Sequence, residues 1–143
     1  MRFVKVCASD ADYITRFLMR VGDSARTFRY FATRSLSALE NHLCTWVIEQ
    51  RGEVEAYGHL DREGDAVWLG IAVTESARGL GLGTKMMERL VRSADELGLI
   101  SVRLAVDNSN TVAIRLYERF GFCLVIKNAQ CSFYERKMPM PAP

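Results

Sequence analysis

Residues 68–97 read WLGIAVTESARGLGLGTKMMERLVRSADEL, a stretch in which a short apolar run passes through a glycine-rich turn into an amphipathic segment. Glycine at 79, 81 and 83 leaves the backbone almost bare, so its N–H groups are accessible to a ligand. These groups lead directly into the N-terminus of a predicted helix, which favours negative charge. The stretch therefore predicts a binding site for a phosphate or pyrophosphate.

Two common nucleotide-binding motifs do not fit this turn. A P-loop requires G-x-x-x-x-G-K-[ST], whereas Gly83 is followed by Thr84 and Lys85 in the wrong order and spacing. A dinucleotide fingerprint, G-x-G-x-x-G, would need a glycine at position 84 when it starts at Gly79. The turn also follows the fourth predicted strand rather than the first.

The composition is that of one ordinary globular domain, with 143 residues, of which 49% are hydrophobic and 25% charged. We expect this domain over 1–138 and a frayed tail over 139–143. The net charge of +2 does not favour a nucleic-acid partner. The sequence has no apolar run of about 18 residues and no signal peptide, so we expect no membrane partner. The four cysteines show no metal-ligand spacing, so we expect reduced thiols, a cytoplasmic protein and no metal.

The hydrophobic periodicity predicts strands and helices in the order β-α-α-β-β-β-α-β-α-β-β. The predicted strands cover 2–7, 43–50, 54–61, 66–73, 100–106, 122–127 and 130–137. The predicted helices cover 11–21, 83–97 and 111–119, with a further one near 36–42 in the irregular segment 23–42. Short turns make the strands from 43 to 73 an antiparallel meander, and a right-handed crossover makes strands 66–73 and 100–106 parallel.

A second pattern, N-x-x-A-x-x-x-Y-x-x-x-G-F at 110–122, follows R-x-x-G-x-G at 78–83. With these two motifs and the element order, the chain resembles the GNAT superfamily of acyl-CoA-dependent N-acetyltransferases. The resemblance implies an α+β fold of three layers, with a mixed, mostly antiparallel central sheet and helices on both faces. It also implies acetyl-CoA as cosubstrate and direct transfer of the acetyl group to a primary amine.

The resemblance implies the residues that bind acetyl-CoA. The turn would bind the pyrophosphate, the preceding strand would pair with the pantetheine arm, and two residues of the second motif would contact that arm. These residues are Arg78, Gly79, Leu80, Gly81, Leu82, Gly83 and Thr84, then Ile71, Ala72 and Val73, then Asn110 and Tyr117. The structural alternatives are a flexible turn, core strand residues, a helix cap at Asn110 and a buried core tyrosine.

The chemistry requires an acid for the leaving thiolate and a base for the attacking ammonium. The resemblance implies Tyr117 as the acid, a transfer that is downhill only if the site raises the thiol pKa or lowers the tyrosine pKa. A backbone N–H near Ile71 or Ala72 would stabilise the oxyanion. His59, on one strand face with Tyr57 and Asp61, is the candidate base, unless it is a partly exposed strand histidine. His42, Glu40 and Glu49 are weaker candidates.

The segment 24–42 lies where this family commonly forms its acceptor pocket. Arginines and aromatic residues are concentrated there: Arg26, Phe28, Arg29, Tyr30, Phe31 and Arg34. Since arginine binds carboxylate or phosphate bidentately, we expect a small anionic acceptor such as an amino sugar, a nucleotide-linked amino sugar or an amino acid. A solvated basic face is the alternative. A protein N-terminal or lysine acetyltransferase and a non-catalytic CoA sensor are the rival functions, and a monomer or homodimer is expected.

Overall fold

The computed structural model describes residues 1–138, and the predicted tail 139–143 lies outside the described residues. The strands are β1 Arg2–Lys5, β2 His42–Gln50, β3 Glu53–Glu63, β4 Ala66–Val73, β5 Ser101–Asp107, β6 Cys123–Lys127 and β7 Cys131–Lys137. The helices are α1 Asp12–Arg20, α2 Leu82–Glu96 and α3 Thr111–Arg119. None of these helices is long and apolar enough to cross a membrane.

The strands form one seven-stranded sheet in the order β1-β2-β3-β4-β5-β7-β6. Every neighbouring pair is antiparallel except β4 and β5, which run parallel, as the crossover through α2 predicts. The parallel pair is short, with a single Cα partnership between Trp68 and Arg103. The two strands therefore separate beyond this point, toward the carboxyl end of β4.

Helices cover both faces of the sheet, which confirms the predicted three-layer architecture. On one face, Ile14 and Phe17 of α1 pack against Val47 and Tyr57, and all four are fully buried. On the other face, α2 and α3 pack over the sheet with the side chains Met86, Met87, Leu90, Ala94 and Tyr117. Burial of these apolar stripes, worth about 25 cal/mol per Å² removed from water, holds the helices to the sheet.

The segment between α1 and β2 contains no second α-helix, so the prediction of a helix near 36–42 is wrong in type. Three 3-10 turns, Gly22–Arg26, Tyr30–Ala32 and Leu36–Asn41, occupy this region instead. Its apolar residues are spaced too irregularly to form one helical stripe, and Phe28, Phe31 and Leu36 pack separately against the α1 face. The turns bring polar and aromatic side chains close to β3.

The four cysteines are free thiols with different environments. Cys44 is buried in β2, whereas Cys7, in the turn after β1, and Cys123, in β6, are exposed. Cys44, Cys123 and Cys131 thus lie in strands, whereas Cys7 lies beyond the end of β1, although the predicted strand 2–7 includes it.

Candidate active site

The glycine turn presents unpaired backbone donors at the start of α2. Gly79 and Gly81 have φ of 81° and 79°, a left-handed conformation that favours glycine, and Gly81 is the residue before the helix. Among the hydrogen bonds of residues 1–138, none is donated by a backbone N–H from Gly79 to Thr84. Nothing lies within 4 Å of the position where a Cβ would stand at Gly79 or Gly81. The turn is thus an accessible cluster of donors for an anion.

Two arginines border this turn, and only one of them belongs to the sequence motif. The Arg78 guanidinium donates to Ser24 Oγ at 2.9 and 3.1 Å and lies 3.5 Å from Asp23. Arg78 therefore ties the turn to the segment after α1. Arg119 of α3 donates to Thr84 Oγ1 at 3.3 Å, which brings a second guanidinium to the start of α2. Sequence reasoning missed Arg119 because the contact joins two helices and carries no local pattern.

Among the described residues 1–138, the carboxyl half of β4 pairs with a strand on one side only. Ile71, Ala72 and Val73 pair with Gly58, Tyr57 and Ala56 of β3, while the ladder to β5 is limited to the pair at Trp68. The gap between β4 and β5 opens beside the glycine turn that follows β4. An extended ligand could add to the free edge as another strand does.

The second motif residues lie at the start and on the buried face of α3. Asn110 caps the helix, with its Oδ1 accepting from the Ala113 backbone N–H at 3.3 Å. Tyr117 packs against Phe122 in the core on the α2 face and is 7% exposed. Burial alone raises the pKa of Tyr117 above 10, so the hydroxyl is protonated at neutral pH.

His59 is buried at the middle of β3, so the alternative of a partly exposed histidine is wrong. Its Nδ1 lies 2.6 Å from the hydroxyl of Tyr57, and its other nitrogen makes no hydrogen bond within residues 1–138. The ring lies against Gly70 of β4, where a Cβ would stand 2.6 Å from Nε2. Burial, with smaller effects of His42 and Arg34, lowers the pKa of His59 well below 6.5, so the ring is neutral at pH 7.

A hydrogen-bonded chain runs beside His59 through Thr45, His42, Tyr30 and Asp61. The Tyr30 hydroxyl donates to Asp61 Oδ2 at 2.8 Å and lies 2.7 Å from His42 Nε2. Since a carboxylate only accepts, the Tyr30 oxygen must receive its other bond from the Nε2–H of His42. Neutral His42 then accepts from Thr45 at Nδ1, 2.8 Å away. The centroids of the His42 and His59 rings are 4.4 Å apart.

The predicted substrate-binding residues do not converge on one point. Arg26 lies 3.4 Å from Asp23, Arg29 makes a bidentate pair with Asp107 at 2.8 and 3.1 Å, and Phe28 packs against Phe17 and Tyr57 in the core. Arg34 stacks over the Tyr30 ring, 4.3 Å from its centroid, and lies 3.5 Å from Glu63. Each arginine therefore has a carboxylate partner.

Tyr30 and Arg34 do share a cavity of about 470 Å³, at the end of the sheet where β3 turns into β4. Its other lining residues are Ala38, Asn41, Leu43, Asp61, Arg62, Glu63 and Gly64.

The weaker base candidates His42, Glu40 and Glu49 do not line this cavity. His42 contacts it indirectly, through its hydrogen bond to Tyr30. Glu49 is paired with Arg2 and Arg16, and the bond from Arg2 lowers its pKa. Glu40 is exposed in the 3-10 turn Leu36–Asn41.

Comparison with known proteins identifies the family. The model of the Acetyltransferase (GNAT) family matches residues 11–122. A mycothiol acetyltransferase of Mycobacteroides abscessus is 35% identical over 71 residues, which cover 50% of this chain and 24% of that protein. A spermine/spermidine N(1)-acetyltransferase of Bacillus subtilis is 39% identical over 64 residues, 43% of this chain and 42% of the relative. The chain thus matches less than half the length of either curated relative.

Solved structures confirm the fold. The structure of yncA from Salmonella typhimurium, which contains its cofactor acetyl-CoA, superposes with a TM-score of 0.79. It is 20% identical to this chain, and the match covers 100% of this chain and 96% of the other.

Proposed function

The chain belongs to the Acetyltransferase (GNAT) family, and from this premise we propose that it transfers the acetyl group of acetyl-CoA to a primary amine of a small molecule. One observation carries the proposal: the free N–H groups from Gly79 to Thr84 lie at the N-terminus of α2, beside the open edge of β4. The pyrophosphate binds to these donors, and the pantetheine arm extends along Ile71, Ala72 and Val73. Arg78 and Thr84 border the pyrophosphate, and Asn110 contacts the arm.

The transfer is direct within a ternary complex. The neutral amine nitrogen attacks the thioester carbonyl, a C–N bond forms, the C–S bond breaks and CoA leaves as a thiolate. A backbone N–H near Ile71 or Ala72 stabilises the negative oxygen of the intermediate, an effect typically worth about 2.7–4 kcal/mol. Placing the two substrates in contact contributes much of the remaining acceleration.

Tyr117 protonates the leaving thiolate. Its raised pKa keeps the proton on the hydroxyl at neutral pH but makes the hydroxyl a weaker acid. Proton transfer from Tyr117 to the thiolate is therefore downhill only if the site raises the pKa of the CoA thiol above that of the tyrosine. Burial of the thiolate against the same core would raise the thiol pKa, because a low dielectric disfavours the charged form of both groups.

His59 receives the amine proton at Nε2, the nitrogen that faces Gly70 and makes no hydrogen bond to residues 1–138. Its neutral form at pH 7 is the form that can accept a proton, although its low pKa makes it a weak base. Accepting the amine proton converts the His59 ring into an imidazolium, and its lowered pKa favours release of this proton to solvent before the next turnover. Two titratable rings lie beside His59 and could affect this step, Tyr30 with its centroid 4.3 Å away and His42 with its centroid 4.4 Å away.

The acceptor is a small amine. Both relatives named above have names that refer to small molecules, mycothiol and spermine or spermidine. The anionic acceptor predicted from Arg26, Arg29, Phe28, Tyr30 and Arg34 remains a prediction, and the carboxylate partners of the three arginines weaken its electrostatic basis.

The test is release of CoA thiol from acetyl-CoA with a panel of anionic, neutral and cationic primary amines and an unstructured peptide with a free N-terminus. We expect turnover with at least one small amine. Turnover with the peptide alone would support the protein acetyltransferase instead. Tight CoA binding without turnover of any amine would support the non-catalytic sensor.

A further inference from the structure

Two buried carboxylates lie on β3, and they differ in how their charge is compensated. Glu55, 7% exposed, accepts from Arg20 at 2.7 Å and is paired with this guanidinium. Asp61, 5% exposed, forms no ion pair within 4.0 Å in the part of the chain that the structure describes. Because a buried charge without a partner is costly, Asp61 is a carboxylate that lacks its cation.

The protein neighbours of Asp61 do not supply that cation. The Tyr30 hydroxyl, 2.8 Å away, is a neutral donor, and it is fixed in this direction by the bond from His42. Burial lowers the pKa of His42, so this ring is neutral at pH 7. The chain Thr45–His42–Tyr30 thus orients a hydroxyl toward Asp61 without delivering a positive charge.

Asp61 is also accessible from the cavity of about 470 Å³. Of the two arginines in the cavity lining, Arg34 is held over the Tyr30 ring near Glu63, and neither Arg34 nor Arg62 reaches the Asp61 carboxylate. The cavity therefore offers a positively charged ligand a buried carboxylate and an oriented hydroxyl.

Strand register places Asp61 at a fixed distance from the proposed point of transfer. Asp61 is opposite Trp68 on β4, and the donor edge at Ile71 lies three residues further along that strand. At about 3.4 Å per residue this separation is roughly 10 Å. An amine attacking near Ile71 would have to be an elongated molecule to reach Asp61 with another group.

We propose that Asp61 binds a second cationic group of the acceptor, so that the preferred acceptors are linear diamines or polyamines. This inference rests on the proposed acetyl transfer and names its substrate class. The Asp61 carboxylate binds the ammonium that does not react, while the other amine is acetylated. The expected charge is opposite to the one predicted from the arginines of segment 24–42.

The test compares linear diamines, from 1,4-diaminobutane to 1,8-diaminooctane, with monoamines of equal chain length. For the wild-type protein, KM should be at least tenfold lower for the best diamine than for its monoamine. Asp61→Asn keeps an acceptor for Tyr30 but removes the charge. It should raise KM for the diamine about tenfold or more, since hydrogen bonds to charged groups are strong, and leave kcat and the monoamine KM unchanged. Asp65→Asn, in the exposed turn beside the cavity, removes the same charge as a control and should change neither constant.

Equilibrium binding separates this inference from the proposed function. Titration of 1,6-diaminohexane into the protein, with and without CoA, should show binding that weakens at least tenfold in Asp61→Asn. If no amine is acetylated but this difference is measured, the transfer fails and the cation site stands. If Asp61→Asn affects monoamines and diamines equally, or leaves diamine binding unchanged, the cation site is wrong.

Discussion

Tyr117 is the single side chain on which the proposed acid step depends. Replacing it with phenylalanine removes a hydroxyl that makes no protein hydrogen bond in the described chain, so the core should tolerate the change. We expect Tyr117→Phe to lower kcat by roughly 10²–10⁴-fold, the usual contribution of a positioned acid, and to leave KM for acetyl-CoA nearly unchanged. Steady-state kinetics at saturating amine measure both constants.

Tyr134→Phe is the matched control for this prediction. Tyr134 is also 7% exposed and belongs to the same apolar cluster as Tyr117. An equal loss of kcat in the two variants would assign the effect to core packing rather than to acid catalysis.

Because burial raises the Tyr117 pKa above 10, ionisation of this tyrosine should cause no decline in kcat at any pH below 10.

At the scale of residues, the sequence predicts which side chains share a face of one strand better than it predicts contacts between residues of different elements. The period of two places Tyr57, His59 and Asp61 on one face of β3, and the structure confirms it. The contacts of Tyr30 and His42 with this face could not be predicted, because Tyr30 lies in a segment without periodicity and His42, the first residue of β2, lies outside the predicted strand 43–50. That the Asp61 carboxylate has no ion-pair partner among the described residues could be recognised only from the structure, which shows that no Lys, Arg or charged His lies close to it.

The glycine turn and α2 act together as one element, and two glycines allow this to be tested. Gly79→Ala introduces a Cβ in left-handed backbone with no atom of residues 1–138 within 4 Å, at a cost of about 1–2 kcal/mol in folding free energy. If a pyrophosphate lies on this backbone, the Cβ should also displace it. We expect acetyl-CoA affinity to fall more than tenfold, measured by titration calorimetry.

Gly52→Ala provides a control with the same local geometry. Gly52 has φ of 79° and nothing within 4 Å of the Cβ position, but it lies in the turn between β2 and β3. Both variants should lose similar folding stability by urea denaturation, and only Gly79→Ala should lose affinity. Equal affinities in the two variants would exclude the turn as the pyrophosphate site.

Elements with a strong period are predicted well from this sequence. The bounds of α3 agree with the expectation of 111–119, and those of α2 differ by one residue at each end. The error in element type lies in the region between α1 and β2, where side-chain packing on the α1 face replaces a regular helix by 3-10 turns. Tertiary contacts determine such turns, and local sequence does not report those contacts.

At the scale of the whole molecule, the gap between β4 and β5 connects the two faces of the sheet. The glycine turn and α2 lie on one face, while His59, Tyr30 and Asp61 lie on the face covered by α1. A donor arm inserted in this gap would present its thioester to the side chains of the opposite face. The division explains why the motifs that identify the family carry information on the donor and little on the acceptor.

The face covered by α1 also links folding stability to pH through His42 and His59. Burial lowers the pKa of both rings in the folded protein, whereas the unfolded chain has the ordinary value of about 6.5. Well above pH 6.5 both states hold neutral rings and no linkage arises. As pH falls below 6.5, the unfolded state binds protons that the folded state does not, so the free energy of unfolding must decrease.

Between pH 7.5 and 5.5 we expect each histidine to reduce the free energy of unfolding by up to about 1.4 kcal/mol. This is the free energy that corresponds to a difference of one pKa unit between the folded and unfolded states. Urea denaturation of the wild-type protein and of His42→Gln/His59→Asn at both pH values measures the effect. The double variant is expected to be less stable at pH 7.5, since it disrupts hydrogen bonds to Tyr30 and Tyr57, but to lose less on acidification. If both proteins lose the same free energy over this interval, the two histidines are not buried in their neutral form.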